Sequence, residues 1–344
     1  MDKKSLIQQI EALRNSRVIT YLTSDRPGPV NARVAMDIIP IISKQLQVIG
    51  KTPNIDLFLY STGGDTMVPW RLVSMIREYC DKFSVLIPYK AHSAATMISL
   101  GADEILMTDL SELSPIDPST ANVFNPQDLQ NPQGRIPISV EDVMAYFDLA
   151  KNKFGIKNDE ELARIFNKFV ESNPQIHPLA LGNVNRTHNL IRILAKRLLK
   201  SRKNILPPSE ESINNIVENF TEKLYSHQYL IGRKETQEDL GLKNVVFAPE
   251  NLAKAMTDLY EEYKKEMGLG VNIWNPENEL GINTSQTRKD YKIAFVESVD
   301  VLNYFELTIE FKRQQVMATQ QTPQGPIQIP QEQIAFRVVG QGWK

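Results

Sequence analysis

The chain has 344 residues, with 39 Lys and Arg against 41 Asp and Glu, a formal net charge of −2 and 42% hydrophobic content. That length favours two domains, or one with a large appendage, and the apolar fraction suffices for ordinary cores; the balanced charge excludes a global drive toward nucleic acid or anionic membranes. The single cysteine, Cys80, cannot form an internal disulfide, which is consistent with reducing surroundings without requiring them; no apolar run is long enough to span a bilayer and the opening residues do not read as a signal peptide, so a soluble, cytoplasmic protein is expected.

Met1 to Asn15 places Leu6, Ile10 and Leu13 on one stripe of an amphipathic helix suited to packing on the body or a partner, with peripheral membrane contact as the lesser reading. Arg17 to Thr23 is the entering strand. A polar turn, Ser24 to Pro29, leads into a helix expected from about Val30 to Val48, with Val34, Ile38, Ile41 and Leu46 among its apolar positions. The apolar run Ile55 to Tyr60 is a buried strand that breaks at Ser61-Thr62-Gly63-Gly64-Asp65. A helical pattern follows through Met67, Trp70, Val73, Met75, Ile76 and Tyr79, with Pro69 tolerated in its first turn. Ser84 to Tyr89 is the next strand; it runs into Ala91-His92-Ser93-Ala94-Ala95-Thr96, where strand hands over to helix with a serine at the junction, and Glu104 to Met107 is a strand beyond Gly101. This alternation marks an α/β fold with a sheet built by crossovers.

A serine at a helix start sits among unpaired backbone N–H groups, where a developing oxyanion is stabilised, and Ala94 and Ala95 leave its surroundings uncrowded. The Gly63-Gly64 pair at the end of the neighbouring strand lets backbone approach a ligand closely and offers a second N–H. One nucleophile and two donors make an acyl-transfer site. Taken singly, Ser93 reads as an N-cap and the glycine pair as a turn or a phosphate cradle, but neither Gly-x-x-x-x-Gly-Lys nor Gly-x-Gly-x-x-Gly accompanies the pair. The order and combination of the pieces favour the acyl-transfer reading.

Ser119 to Pro137 is rich in Asn, Gln and Pro without a period, as in a lid, a channel wall or a disordered loop. Ser139 to Phe154, Asp159 to Ser172 and a third stretch marked by Leu190, Leu194 and Leu198 read as helices. The third is basic, through Arg186, Arg192, Lys196, Arg197, Lys200, Arg202 and Lys203; without interleaved aromatics it reads as a solvated face or subunit contact, and no nucleic-acid partner is expected. Ser209 to Tyr225 and Pro249 to Met267 are further helices. Tyr291 to Val296, Tyr304 to Phe311 and Gln333 to Val339 read as strands of a small antiparallel C-terminal β subdomain, with Gln320 to Pro330 as the loop between the last two.

From Arg17 to about Asn244 the chain resembles the ClpP/crotonase superfamily, and within it the serine dehydrogenase proteinase family, relatives of signal peptide peptidase A and the Clp peptidases. The resemblance is carried by Arg17 to Thr23, Ser61-Thr62-Gly63-Gly64-Asp65, Ala91 to Thr96, Leu113-Ser114-Pro115-Ile116-Asp117-Pro118, and Tyr225 to Tyr229 with Glu235 to Leu242. It implies a repeated β-β-α superhelical core with inserted helices, a peptidase domain over 17–248 with an insertion at 119–205, an N-terminal helix over 1–16, a C-terminal unit over 249–344, and homo-oligomeric assembly through the inserted helices. It also implies Ser93 as nucleophile, the N–H groups of Gly64 and Ala94 as the oxyanion hole, Gly63 beside the substrate, a peptide or protein substrate, and neither cofactor nor metal.

The base departs from the family pattern. Counted from the nucleophile, the Clp histidine falls at or beside Asp117, and the lysine of the signal peptide peptidase branch falls near Asp148, with Lys151 and Lys153 beyond. Of the four histidines, His92 adjoins Ser93 and suits packing or hydrogen bonding, His177 and His188 flank the helical insertion, and His227 lies close to where Clp peptidases place the acidic triad member. A rearranged Ser93, His227 and Asp117 set, a lysine base, or no base all stand open. The leading function is a serine peptidase. The alternatives are a crotonase-like acyl-CoA enzyme, against which the serine-led segment argues, and a non-catalytic scaffold or peptide binder.

Overall fold

The computed structural model describes residues 2–116, 119–120, 122–128, 134–172, 177–203, 209–224, 226, 228–270, 274–322 and 325–344. The chain opens with helix α1 (Lys3–Arg14), capped by the Asp2 side chain on the Ser5 N–H and closed by Asn15 in the left-handed conformation. There follow β1 (Arg17–Thr23), a 3-10 turn (Gly28–Val30), α2 (Ile38–Ile49), β2 (Thr52–Tyr60), α3 (Val68–Ile76), β3 (Cys80–Ile87), β4 (Lys90–Ala91), α4 (Ala94–Leu100), β5 (Glu104–Met107) and β6 (Glu112–Leu113). Next come β7 (Ser119–Thr120), β8 (Ile138–Ser139), α5 (Val140–Asp148) running into a π-type turn (Leu149–Lys153), α6 (Asp159–Ser172), α7 (Pro178–Lys200) and α8 (Glu210–Thr221). The last part holds β9 (Ile231–Gly232), α9 (Arg233–Glu238), β10 (Val245–Phe247), α10 (Glu250–Met267), α11 (Pro276–Leu280), β11 (Gln286–Glu297), β12 (Leu302–Thr322) and β13 (Gly325–Trp343).

Eight strands form one mixed sheet in the order β10-β5-β3-β2-β1-β11-β12-β13. From β10 to β1 the neighbours are parallel, and from β1 to β13 they are antiparallel. Parallel strands buried on both faces need helices on both sides. On one side α2, α3, α4, α7 and α8 bury Ile42, Leu72, Ile98, Leu198 and Phe220 against Leu57 and Val85. On the other, Leu6, Ile7 and Ile10 of α1 interlock with Leu252, Met256, Leu259 and Tyr263 of α10 over Val18 and Phe58. A second sheet, β4-β6-β9, stands at the end of the parallel strands, beside the loops that follow β2 and β4.

A buried charge lies on each side of the sheet. Asp56, in the apolar run of β2, is held by Arg14 and Ser16 at 2.9 Å each. Asp103 accepts from Arg77 Nη2 at 2.9 Å and from the N–H groups of Phe83 and Lys203, joining α3, β5 and the end of α7.

Several expectations change. Ile7, not Leu13, completes the buried stripe of α1, and Leu13 is 41% exposed. The helix expected from Val30 begins only at Ile38, because Val34 is extended and bridges Gly64. The C-terminal strands form no separate sheet: β11 pairs with β1, so they continue the main one. Gln320 to Pro330 is not a long loop but the turn end of a hairpin whose strands pair from Phe305↔Trp343 to Thr322↔Gly325. Among the described residues, no helix is long and apolar enough to cross a membrane.

Candidate active site

β3 leaves the main sheet, β4 enters the small one, and the chain turns at Ser93 into α4. Ser93 has φ 51° and ψ −111°. Among the described residues only Asn15 shares a positive φ without being glycine, and it sits at a helix C-cap, where the left-handed conformation is ordinary. A residue with a β-carbon held as Ser93 is costs about 1–3 kcal/mol and persists only where its surroundings fix it. Here the His92 N–H donates to Ser61 O at 2.9 Å, the Ser93 N–H to Ser114 Oγ at 2.9 Å, the Ala95 N–H to His92 O at 2.9 Å and the Met97 N–H to Ser93 O at 3.0 Å. The strained strand-to-helix turn is the device by which a nucleophilic serine is presented. Ser93 is partly exposed, whereas α4 behind it is wholly buried.

The glycine loop lies directly against this turn. A β-carbon on Gly63 would come within 2.8 Å of both Ser93 Cβ and His92 O, and within 3.2 Å of Ala94 N. One on Gly64 would lie 2.1 Å from Val34 O, because the Val34 N–H donates to Gly63 O at 2.9 Å and the Asp65 N–H to Val34 O at 2.8 Å. Only glycine fits at either position. The loop is held from below by a buried relay in which Thr23 Oγ1 donates to Ser61 Oγ at 2.7 Å and Ser61 Oγ accepts the Gly63 N–H at 3.1 Å. The N–H groups of Gly64 and Ala94 have no hydrogen-bond partner among the described residues. Two free amide donors beside a partly exposed hydroxyl are the components needed to hold an oxyanion.

Ser114 and Thr96, both buried, lock the Ser93 turn. Besides accepting from Ser93, the Ser114 hydroxyl donates to Pro115 O at 3.0 Å, and Thr96 Oγ1 reaches Ala91 O at 2.7 Å and accepts the Ser114 N–H at 3.2 Å. Sequence reading gave neither residue a role, although Ser114 lies in one of the segments that carry the resemblance. Beside the turn, His92 Nε2 is 3.1 Å from Glu112 Oε1, and burial pushes the Glu112 carboxyl above its ordinary range while Lys90 pulls the other way. Lys90 Nζ is 2.8 Å from Asp25 Oδ2; burial lowers its pKa, but the hydrogen bond and charge of Asp25, with Tyr89 and Glu112, together outweigh that and hold it above its ordinary value, so Lys90 stays charged and is not poised as a base.

Of the residues singled out from the sequence, Ser93, Ala94, Gly63 and Gly64 come together. Asp117 and His227 lie outside the described residues. Their flanks converge: the Ile116 N–H donates to Phe220 O at 2.9 Å, and Leu113 of β6 pairs with Ile231 of β9. His177 caps α7 by accepting the Leu179 N–H and stacks on Phe124, and His188 faces Glu222. Lys151 and Lys153 are exposed. No group of three or more His, Cys, Asp or Glu is placed to hold a metal among the described residues.

Comparison with known proteins adds three likenesses. The chain is 24% identical over 268 residues to the uncharacterized protein MJ0137 of Methanocaldococcus jannaschii, covering 76% of this chain and 80% of that protein. It is 26% identical over 123 residues to MJ1495 of the same organism, also uncharacterized, covering 34% of this chain and 42% of that one. The crystal structure of methylmalonyl CoA decarboxylase superposes with a TM-score of 0.25 at 12% identity, over 56% of this chain and 94% of that one, too loosely to bear on fold or chemistry. Residues 1–168, which contain the glycine loop, the Ser93 turn and the Ser114 clamp, match the family of ClpP-like SDH-type serine proteinases. That segment is just under half of the chain, and through it the chain resembles the ClpP-like SDH-type serine proteinases.

Proposed function

We propose that this protein is a serine peptidase that cleaves peptide bonds through an acyl-enzyme at Ser93. The Ser93 hydroxyl attacks the scissile carbonyl carbon, the N–H groups of Gly64 and Ala94 receive the negative charge that moves onto the carbonyl oxygen, and the hydroxyl proton passes to a base and then to the leaving amine. Water then releases the acyl group by the reverse course. The observation that carries this reading is the strained, partly exposed Ser93 packed against Gly63, with the two neighbouring amides free.

For the base, the reading assigns His227 oriented by Asp117. It is supported by the anchoring of Ile116 on Phe220 and of Leu113 on Ile231, since His227 falls between Phe220 and Ile231 in the chain and Asp117 directly follows Ile116. The succession of long strand, short strand and helix in β3-β4-α4, continued by β5 and β6, is read as the β-β-α unit of a ClpP/crotonase core. Substrate is an extended peptide lying along the glycine loop, recognised chiefly through its backbone and therefore with tolerance of sequence.

A fluorophosphonate probe tests the reading. The wild-type chain should be labelled and hydrolyse an unstructured polypeptide, and Ser93→Ala should do neither; a wild-type chain that is not labelled sinks the proposal. Labelling and turnover that survive in both His227→Ala and Asp117→Asn would exclude the assigned base while leaving the nucleophile standing.

A further inference from the structure

The C-terminal hairpin reaches well past the sheet that supports it. β11 ends its pairing with β12 at Gln286↔Lys312, but β12 and β13 pair on with each other to Thr322↔Gly325. Ten further residues of strand at about 3.3 Å each make an arm about 30 Å long, and a two-stranded ribbon alone in water is marginally stable.

The two edges of this arm differ. Tyr304 and Lys344 exchange both backbone hydrogen bonds, whereas the Arg313 N–H points the other way, to Ser285 O at 2.8 Å. Even-numbered residues of β12 therefore turn their N–H and C=O groups to β13, and odd-numbered ones turn them away. Carried through the register, Gln331 and Ile329 of β13 face β12, and Pro326 and Pro330 occupy positions whose N–H would point outward. Proline there costs no ladder bond and closes the outer edge to pairing. The edge of β12 has no such guard. At Gln315, Met317, Thr319 and Gln321 its outward amides and carbonyls continue the line along which β11 pairs, and no strand takes them up among the described residues.

Charge narrows the choice of partner. From Gln314 to Gln331 there is no charged residue, in a chain that is 23% charged. Such a segment offers nothing to steer an acidic or basic partner and meets no repulsion from an identical copy. An antiparallel edge is also self-complementary about a two-fold axis, which is what an isologous dimer requires.

We propose that the β12 edge from Gln315 to Gln321 pairs antiparallel with the same edge of a second copy of this chain, about a two-fold axis at Ala318. In that register Met317 opposes Thr319 of the partner subunit in a hydrogen-bonded pair. The two copies of Ala318 face each other at the close, non-hydrogen-bonded spacing of about 4.5 Å between Cα atoms, within disulfide reach.

The full-length chain is examined by sedimentation or light scattering. The wild type should have the mass of a dimer or a multiple of it, and M317K with T319K, which places guards on the open edge, should halve that mass while Ser93 still labels at the wild-type rate. Ala318→Cys should give a disulfide-linked dimer under mild oxidation, since the one native cysteine is buried. A monomeric wild type, an assembly whose mass ignores both lysines, or an Ala318→Cys chain that stays unlinked overturns the proposal.

Discussion

The backbone N–H of Ser93 donates to the hydroxyl of Ser114 at 2.9 Å, so the Ser93 amide is occupied before any substrate arrives. On the proposed mechanism the oxyanion then relies on Gly64 and Ala94, and the orientation of Ser93 depends on a side chain 21 residues away in sequence. Ser114→Ala leaves that buried N–H without an acceptor, at a cost of about 1–3 kcal/mol. Fluorophosphonate labelling of Ser93 is expected to slow by about 10- to 100-fold, with partial recovery in Ser114→Thr. A labelling rate equal to wild type in Ser114→Ala would remove Ser114 from the machinery.

Ser93→Gly should abolish labelling yet stabilise the fold. Glycine adopts φ 51° and ψ −111° without the penalty a β-carbon brings. After the greater freedom of glycine in the unfolded chain is subtracted, a gain of about 1 kcal/mol remains. Denaturant unfolding checks this against Ser93→Ala, which keeps the strain; a Ser93→Gly chain no more stable than Ser93→Ala would refute the expected gain.

The two glycines should differ in how they fail. At Gly64 a methyl group would meet the backbone of Val34 at 2.1 Å, so Gly64→Ala is expected to part the Val34 bridge and cost more than about 3 kcal/mol. At Gly63 the methyl group would press on Ser93 itself. Gly63→Ala should therefore lose labelling more completely than it loses stability, a contrast that melting curves set beside labelling time courses would reveal or refute.

Acid should loosen the junction at Asp103. Burial alone would raise the Asp103 carboxyl, but hydrogen bonds from Arg77 and from the N–H groups of Phe83 and Lys203 outweigh it and hold the group below its ordinary value. The native pKa lies under the unfolded one, so this stabilisation is complete above about pH 4 and is lost as the pH falls through the native value. Asp103→Asn strands Arg77 and should cost about 3–5 kcal/mol at neutral pH. Its stability should also fall less steeply than wild type between about pH 4 and pH 2, as followed by circular dichroism; parallel curves would contradict the assignment.

Much of this was legible in the sequence where local pattern and tertiary role agree. β1, β2, β3 and β5 are apolar runs because they are buried on both faces, and the serine between strand and helix announces the turn that presents it. Legibility failed where a distant partner decides. Val34 has a helix-compatible neighbourhood but is drawn into an extended bridge by Gly64. Ser114 acts only because β6 lies beside β4. The Gln- and Pro-rich end of the hairpin looks like a loop by composition, yet Pro326 and Pro330 fall on outward-facing positions, a matter of register that composition does not record.

The pairing of β11 with β1, together with the packing of α1 on α10, ties the two ends of the chain into one structure. The half that carries Ser93 is therefore not a module that can be lifted out. Cut away, residues 1–168 would leave β1 with a bare flank and Leu6, Ile7 and Ile10 facing water. A nick between α9 and α10 should instead leave two fragments that still travel together, and any effort to graft this active site elsewhere must take the tail along with it.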